Sequence, residues 1–87
     1  MDLEKLKEMQ MKQMEERDCL PKDQTEIILH LVEEVGELAE AIREKHTMDK
    51  FEGEIADILW QLNKLCWIND VNLEQVFLKK LNKNSKR

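Results

Sequence analysis

The 87-residue chain carries 19 acidic against 14 basic residues, a formal net charge of −5, which excludes a nonspecific binder of the nucleic-acid backbone, because that task needs a basic surface. With 41% hydrophobic and 38% charged residues, 2 glycines, 1 proline and no tyrosine, it is too apolar for disorder and too poor in turn formers for a many-stranded β protein. One all-α domain spanning residues 1–87 is expected, since so short a chain cannot build two cores.

Residues 2–17 place Leu3, Leu6, Met9 and Met14 among charges at a period of three to four, which predicts an amphipathic first helix with a narrow apolar face. It ends before Pro21, which disfavours helical geometry in the residue that precedes it. Asp23 with Glu26 three residues on has the form of a capping box, and the second helix it opens runs to about Lys45. On a wheel this helix gathers Ile27, Leu31, Val35, Leu38 and Ile42 into a core-facing arc, widened by Ile28 and Ala39.

Lys45 to Met48 reads as the next turn, with His46 as no more than a turn residue. Thr47 or Asp49 caps a third helix running to about Asn69. Phe51, Ile55, Ile58, Leu59, Leu62, Leu65 and Cys66 are joined there by Trp60 and Trp67 on a separate flank, more apolar surface than one short partner covers. Four-helix domains with antiparallel central helices, assembled into a helical-bundle homo-oligomer, are the natural solution. Asn72 with Gln75, bracketed by Val71 and Val76, marks the start of a fourth helix.

The longest apolar run, Leu65 to Ile68, is only four residues, and Met1-Asp2-Leu3-Glu4 has neither the basic nor the apolar region of a signal peptide. A soluble cytoplasmic protein is expected. Cys19 and Cys66 lack zinc-site spacing and are expected to be reduced.

Glu34 and Glu37 are three apart on the second helix, as Glu54 and Asp57 are on the third. Each pair therefore projects from one face, with Cβ atoms about 5–6 Å apart. Such pairs are common in an acidic chain and are usually solvated, but Glu34 with Asp57, and Glu37 with Glu54, share one sequence midpoint beside the turn at Lys45 and His46. In an antiparallel hairpin the four lie nearly level. Four carboxylates in a partly buried seam repel, and a hard cation such as Mg²⁺ or Mn²⁺ balances them. The competing reading is interhelical pairing with a basic side chain, for which Lys64 is the candidate.

The segments Leu31-Val32-Glu33-Glu34-Val35-Gly36-Glu37-Leu38-Ala39-Glu40-Ala41-Ile42 and Glu52-Gly53-Glu54-Ile55-Ala56-Asp57-Ile58-Leu59 resemble the MazG-like nucleotide pyrophosphohydrolases of the all-α NTP pyrophosphatase superfamily. That family's pattern is Glu-x-x-Glu, a spacer and Glu-x-x-Asp. Here the spacer is 16 residues, and Glu33 supplies the common doubled glutamate. The resemblance implies that Glu34, Glu37, Glu54 and Asp57 bind Mg²⁺ and that nucleoside triphosphates are cleaved to monophosphate and pyrophosphate. It also implies a homodimer or homotetramer.

Glu33, or one of the metal ligands, is then the candidate acceptor of the water's proton. Lys80, Lys83, Asn84 and Arg87 resemble the family's closing phosphate- or base-contacting residues, the alternative being a frayed basic helix end. Trp60 and Trp67 are candidates for stacking on the base, an oligomer interface being the other explanation. His30, one turn before Glu34, is a candidate substrate contact or else a partly buried structural histidine. A phosphoribosyl-ATP pyrophosphohydrolase-like enzyme and a noncatalytic helical adaptor are the rival functions.

Overall fold

Each helix begins where a side chain replaces an acceptor that the helix itself cannot supply. The computed structural model describes residues 2–86 and contains α1 (Leu3–Glu16), α2 (Gln24–Arg43), α3 (Met48–Ile68) and α4 (Leu73–Asn84), with no strand among the described residues. Asp2 accepts from the Lys5 N–H at 2.7 Å and Asp23 from the Thr25 N–H at 2.9 Å. Thr47, rather than Asp49, caps α3 by accepting from the Lys50 N–H at 3.3 Å. Asn72 accepts from the Gln75 N–H at 3.1 Å. The return half of the box at Asp23 does not form, because the Glu26 carboxylate lies 3.6 Å from His30 Nε2 instead.

The first three helices end alike. Asp18, Lys45 and Asp70 take φ of 53°, 54° and 54°. The N–H of the following residue then reaches back to the carbonyl of Met14, Ala41 or Cys66 at 2.8–2.9 Å. This is the Schellman closure, which glycine usually makes. Aspartate tolerates the left-handed region; Lys45 has no such local compensation and bears its cost, on the order of 1 kcal/mol.

α2 and α3 pack along their length as an antiparallel hairpin, and α1 lies against the other side of α3 and against α4. The face that α1 buries differs from the expected one. Leu6 and Met9 are 39% and 51% exposed, whereas Lys7, Gln10, Met11 and Met14 are buried. Lys7 and Gln10 can go inside because backbone carbonyls receive them. Lys7 Nζ donates to Val71 O at 2.9 Å, and Gln10 Nε2 donates to Trp60 O at 3.0 Å while its Oε1 accepts from Asn63 Nδ2 at 2.9 Å. Those bonds fix α1 across the carboxyl-terminal half of α3. Cys19 and Cys66 are both free thiols.

The apolar arc expected on α2 resolves into two stripes. Ile27, Leu31, Glu34, Leu38 and Ala41 face α3, buried or half-buried, while Ile28, Val32, Val35 and Ile42 form a neighbouring stripe that is 43–64% exposed. Val35 and Ile42 are therefore not core residues. A 4-3-4-3 spacing places Glu34 on the buried stripe in their stead. Excess apolar surface, expected chiefly on α3, is spread over three helices: Met48, Ile55, Trp60 and Trp67 stay exposed on α3 beside the outer stripe of α2. On α4, Val76, Phe77, Leu78 and Leu81 are all exposed, and the helix buries no residue.

Candidate metal centre

Placing Glu34 on the inner stripe of α2 brings it opposite Glu54 and Asp57 of α3. One carboxylate oxygen from each of these three lies within 4.8 Å of the others. Glu54, 6% exposed, is among the most buried charged residues, and Asp57 stays exposed at the edge of the seam. Glu37, exposed on the turn side, lies outside that triad of oxygens but acts on both of its glutamates.

Desolvation holds the Glu34 carboxyl above its usual 4.5, and the charges of Glu37, Asp57 and Glu54 push it further. Glu54 is raised by desolvation first, then by a hydrogen bond and charge repulsion from Glu37, and Lys50 opposes the shift. The opposing cation is thus Lys50, with Nζ 3.9 Å from Glu54 Oε1, and not Lys64, which lines a separate cavity beside Asp18 and Pro21. One exposed lysine cannot neutralise four acids.

Two further facts bear on a cation. Glu34 Oε2 and Glu54 Oε2 are shut from solvent with no hydrogen-bond partner, a costly condition for a carboxylate. The donor set is all oxygen, the hard kind that divalent cations of the magnesium class prefer. These residues fit such an ion.

The raised acids set the sign of the pH dependence. A carboxyl whose folded pKa exceeds its unfolded value near 4.5 contributes stability that is present below 4.5 and lost as pH rises through the folded pKa. In EDTA the melting temperature should accordingly rise as pH falls from 7 toward about 5, and the slope should flatten in a Glu34→Gln/Glu54→Gln double variant. An equal slope in both proteins would show that these acids are not the source.

The other candidates lie around this cluster or away from it. Glu33 points to the outer side of α2, where its Oε2 is 3.7 Å from His30 Nδ1. His30 is exposed rather than partly buried, held between Glu26 and Glu33. Trp60, 36% exposed, stands one turn past Asp57 and lines a groove of about 330 Å³ between α1 and α3 with Leu6, Met9, Ala56 and Asn63. Trp67 lies in a cleft against α1 beside Lys7 and Met11. Lys80, Lys83 and Asn84 are exposed on α4, which packs on α1, and none of them lines the cavity beside the carboxylates. Arg87 lies outside the described residues.

Two residues emerge that sequence reasoning passed over. A cavity of about 210 Å³ at the turn end of the cluster is lined by Glu37, Glu40, His46, Lys50 and Glu54. Lys50 had a legible signal, since it stands one turn before Glu54 on the same flank of α3. His46 had none, because only the Schellman closure of α2 carries it back beside the seam.

The chain matches the MazG nucleotide pyrophosphohydrolase domain family over residues 22–87. That match takes in α2 and α3, which build the site region, together with α4, and leaves α1 outside. No curated protein and no solved structure matches the chain.

Proposed function

The chain belongs to the MazG nucleotide pyrophosphohydrolase family, and on that premise we propose that it hydrolyses nucleoside triphosphates to monophosphate and pyrophosphate with Mg²⁺, Mn²⁺ being a possible substitute. Deoxynucleoside or noncanonical nucleoside triphosphates are the proposed substrates and cleaning of the nucleotide pool the proposed role. The observation that carries this reading is the meeting of Glu34, Glu54 and Asp57 oxygens within 4.8 Å, with two buried carboxylate oxygens left unpartnered.

Glu34, Glu37, Glu54 and Asp57 would hold the ion. When bound, Mg²⁺ supplies polarisation of the phosphate oxygens and a more acidic water. The chain's own residues do the rest. Water attacks the α-phosphorus, the bond from that phosphorus to the oxygen bridging toward the β-phosphate breaks, and pyrophosphate leaves. A carboxylate of α2 takes the water's proton, Glu34 or Glu37 from the seam rather than Glu33, which turns to the outer side beside His30. Lys50, beside Glu54, offsets the negative charge of the phosphates. Trp60 offers its ring to the base, and His30 stands at the outer rim. Lys80, Lys83, Asn84 and Arg87 would serve the phosphates from a second copy of the chain.

The working unit we propose is a homodimer or homotetramer of single 1–87 domains. Supporting it, few apolar side chains are buried among the described residues, Met11, Met14, Ile27, Ala41 and Cys66 with Pro21, while Leu29, Val32 and Ile42 are 61–64% exposed. The setting we propose is the cytoplasm, where nucleotide pools reside. No described helix is long and apolar enough to cross a membrane.

The test is a panel of ribo- and deoxynucleoside triphosphates incubated with the protein and Mg²⁺, the products being resolved by chromatography and phosphorus NMR. Monophosphate and pyrophosphate are expected in equal amounts. Diphosphate with orthophosphate would refute the proposed attack at the α-phosphorus.

A further inference from the structure

Glu34 on α2 meets Glu54 and Asp57 on α3 with carboxylate oxygens within 4.8 Å of one another. In an antiparallel pair of helices that register sets Leu31, one turn before Glu34, across from Gln61, one turn after Asp57. Gln61 belongs to the stripe of α3 that faces α2, in which Phe51, Glu54, Ile58, Gln61 and Leu65 are all buried or half-buried. Cα–Cβ bonds tilt toward the start of their own helix, so the Glu34 side chain leans toward Gln61, and Gln61 leans back toward Glu34. Gln61 Oε1 is shut from solvent with no hydrogen-bond partner, as are Glu34 Oε2 and Glu54 Oε2. Around Gln61 the stripe residues Leu31, Ile58 and Leu65 are hydrocarbon and offer no donor. A buried acceptor without a partner marks a missing hydrogen-bonding group. A cation answers to the carboxylates; the neutral amide oxygen one turn further on calls for a donor.

We propose that Gln61 positions the attacking water, its Oε1 accepting a hydrogen bond from that water and holding it beside Glu34. The inference rests on the pyrophosphohydrolase reading above and adds where in the seam the water stands, on the side of Glu34 away from the α2–α3 turn. Water is small and carries two O–H donors, one for the amide oxygen and one for a carboxylate oxygen that has no partner. In the reaction the hydrogen on the carboxylate side leaves as a proton to a carboxylate of α2. The water's oxygen bonds to the α-phosphorus as the bond to the bridging oxygen breaks, and pyrophosphate departs. The hydrogen held by Gln61 stays on the new phosphate oxygen. An amide suits this place because it accepts a hydrogen bond at any working pH, whereas one more carboxylate would add to the repulsion among the acids.

The test joins a crystal structure of the metal-free wild type with the kinetics and melting of Gln61→Met, a variant of similar length that lacks the amide. A water within hydrogen-bond distance of both Gln61 Oε1 and a Glu34 carboxylate oxygen is expected in the crystal. Loss of one hydrogen bond to the reacting water should lower kcat in the Met variant about tenfold, with KM for the triphosphate and the thermal shift given by Mg²⁺ unchanged. A Gln61 amide bonded directly to the Glu34 carboxylate, with no water between them, would overturn the proposal, because its nitrogen would then face inward and brace the glutamate. Wild-type kcat in the Met variant would overturn it too. Loss of the magnesium shift in that variant would do the same by making Gln61 Oε1 a ligand of the ion. In these three cases a magnesium shift and triphosphate hydrolysis by wild type would leave the parent reading standing. A wild type that holds the water yet shows neither would end the parent reading and the role in attack with it. Should the Met variant not fold, the water in the wild-type crystal decides alone.

Discussion

Glu54→Gln and Asp57→Asn are expected to lower turnover at least on the order of 100-fold, as removal of a group that holds the catalytic ion or the developing charge does, while the metal-free protein melts no lower than wild type. The second half is what separates a site from a scaffold. In the absence of an ion, the buried Glu54 faces repulsion from Glu37 and Asp57 and a desolvation cost, and the amide removes both. Against this stands the lost partnership with Lys50, at 3.9 Å from a lysine side chain that is 56% exposed. An exposed lysine regains water when its partner is neutralised, so the relief of repulsion prevails. Mg²⁺ at ten times its Kd adds about 1.4 kcal/mol to wild type by mass action, on the order of 5–10 °C in Tm for a domain of this length. The variants should show little of that shift. Melting curves in EDTA and in Mg²⁺, taken beside turnover, provide the check. Variants less stable than wild type in EDTA, with no magnesium shift in wild type, would make the acids salt-bridge partners and end the metal reading.

Val32→Glu should have the largest effect on the whole molecule. Val32 is 64% exposed in the stripe that includes Ile28, Val35 and Ile42. The small residues Gly36 and Ala39 on that side would let another helix approach closely, and nothing lies within 4 Å of a Cβ built at Gly36. Burying each valine, leucine or isoleucine of such a face is worth about 1.5–3 kcal/mol, comparable in sum with the entire stability of a small domain. Wild type is expected to scatter light as two or four copies of 10.4 kDa, with a melting temperature that rises with concentration. A glutamate in the middle of the stripe should shift the mass toward one copy, lower the melting temperature and abolish its concentration dependence. A wild type of 10.4 kDa at micromolar concentration would refute the assembly.

The caps and the acidic seam were legible because both depend on short spacings. Asp23, Thr47 and Asn72 act on N–H groups two or three residues away, so the neighbours that decide whether they cap are also neighbours in the chain. The seam is longer-ranged, yet an antiparallel hairpin around a short turn has only one free choice, its register. The shared midpoint of Glu34 with Asp57 and of Glu37 with Glu54 supplied it. Stripe assignment on α2 failed for a related reason. A broad arc of apolar residues shows how much surface wants covering but not which part faces the same chain; periodicity alone points Val35 and Ile42 inward, whereas Glu34 holds that place in the fold.

What local spacing could not supply was the burial of polar groups and the neighbourhood of the turn. Lys7 and Gln10 lie inside because the carbonyls of Val71 and Trp60, more than 45 residues away, meet them, and hydrophobic periodicity counts such residues as surface. His46 reads as a turn residue in any local window. Its placement against the seam follows from the left-handed Lys45 at φ 54°, which turns the chain back over the end of α2. Helix type, ends and register follow from interactions a few residues in range. Which polar atoms are buried, and which are left without a partner, depends on chain segments that meet only once the helices have packed.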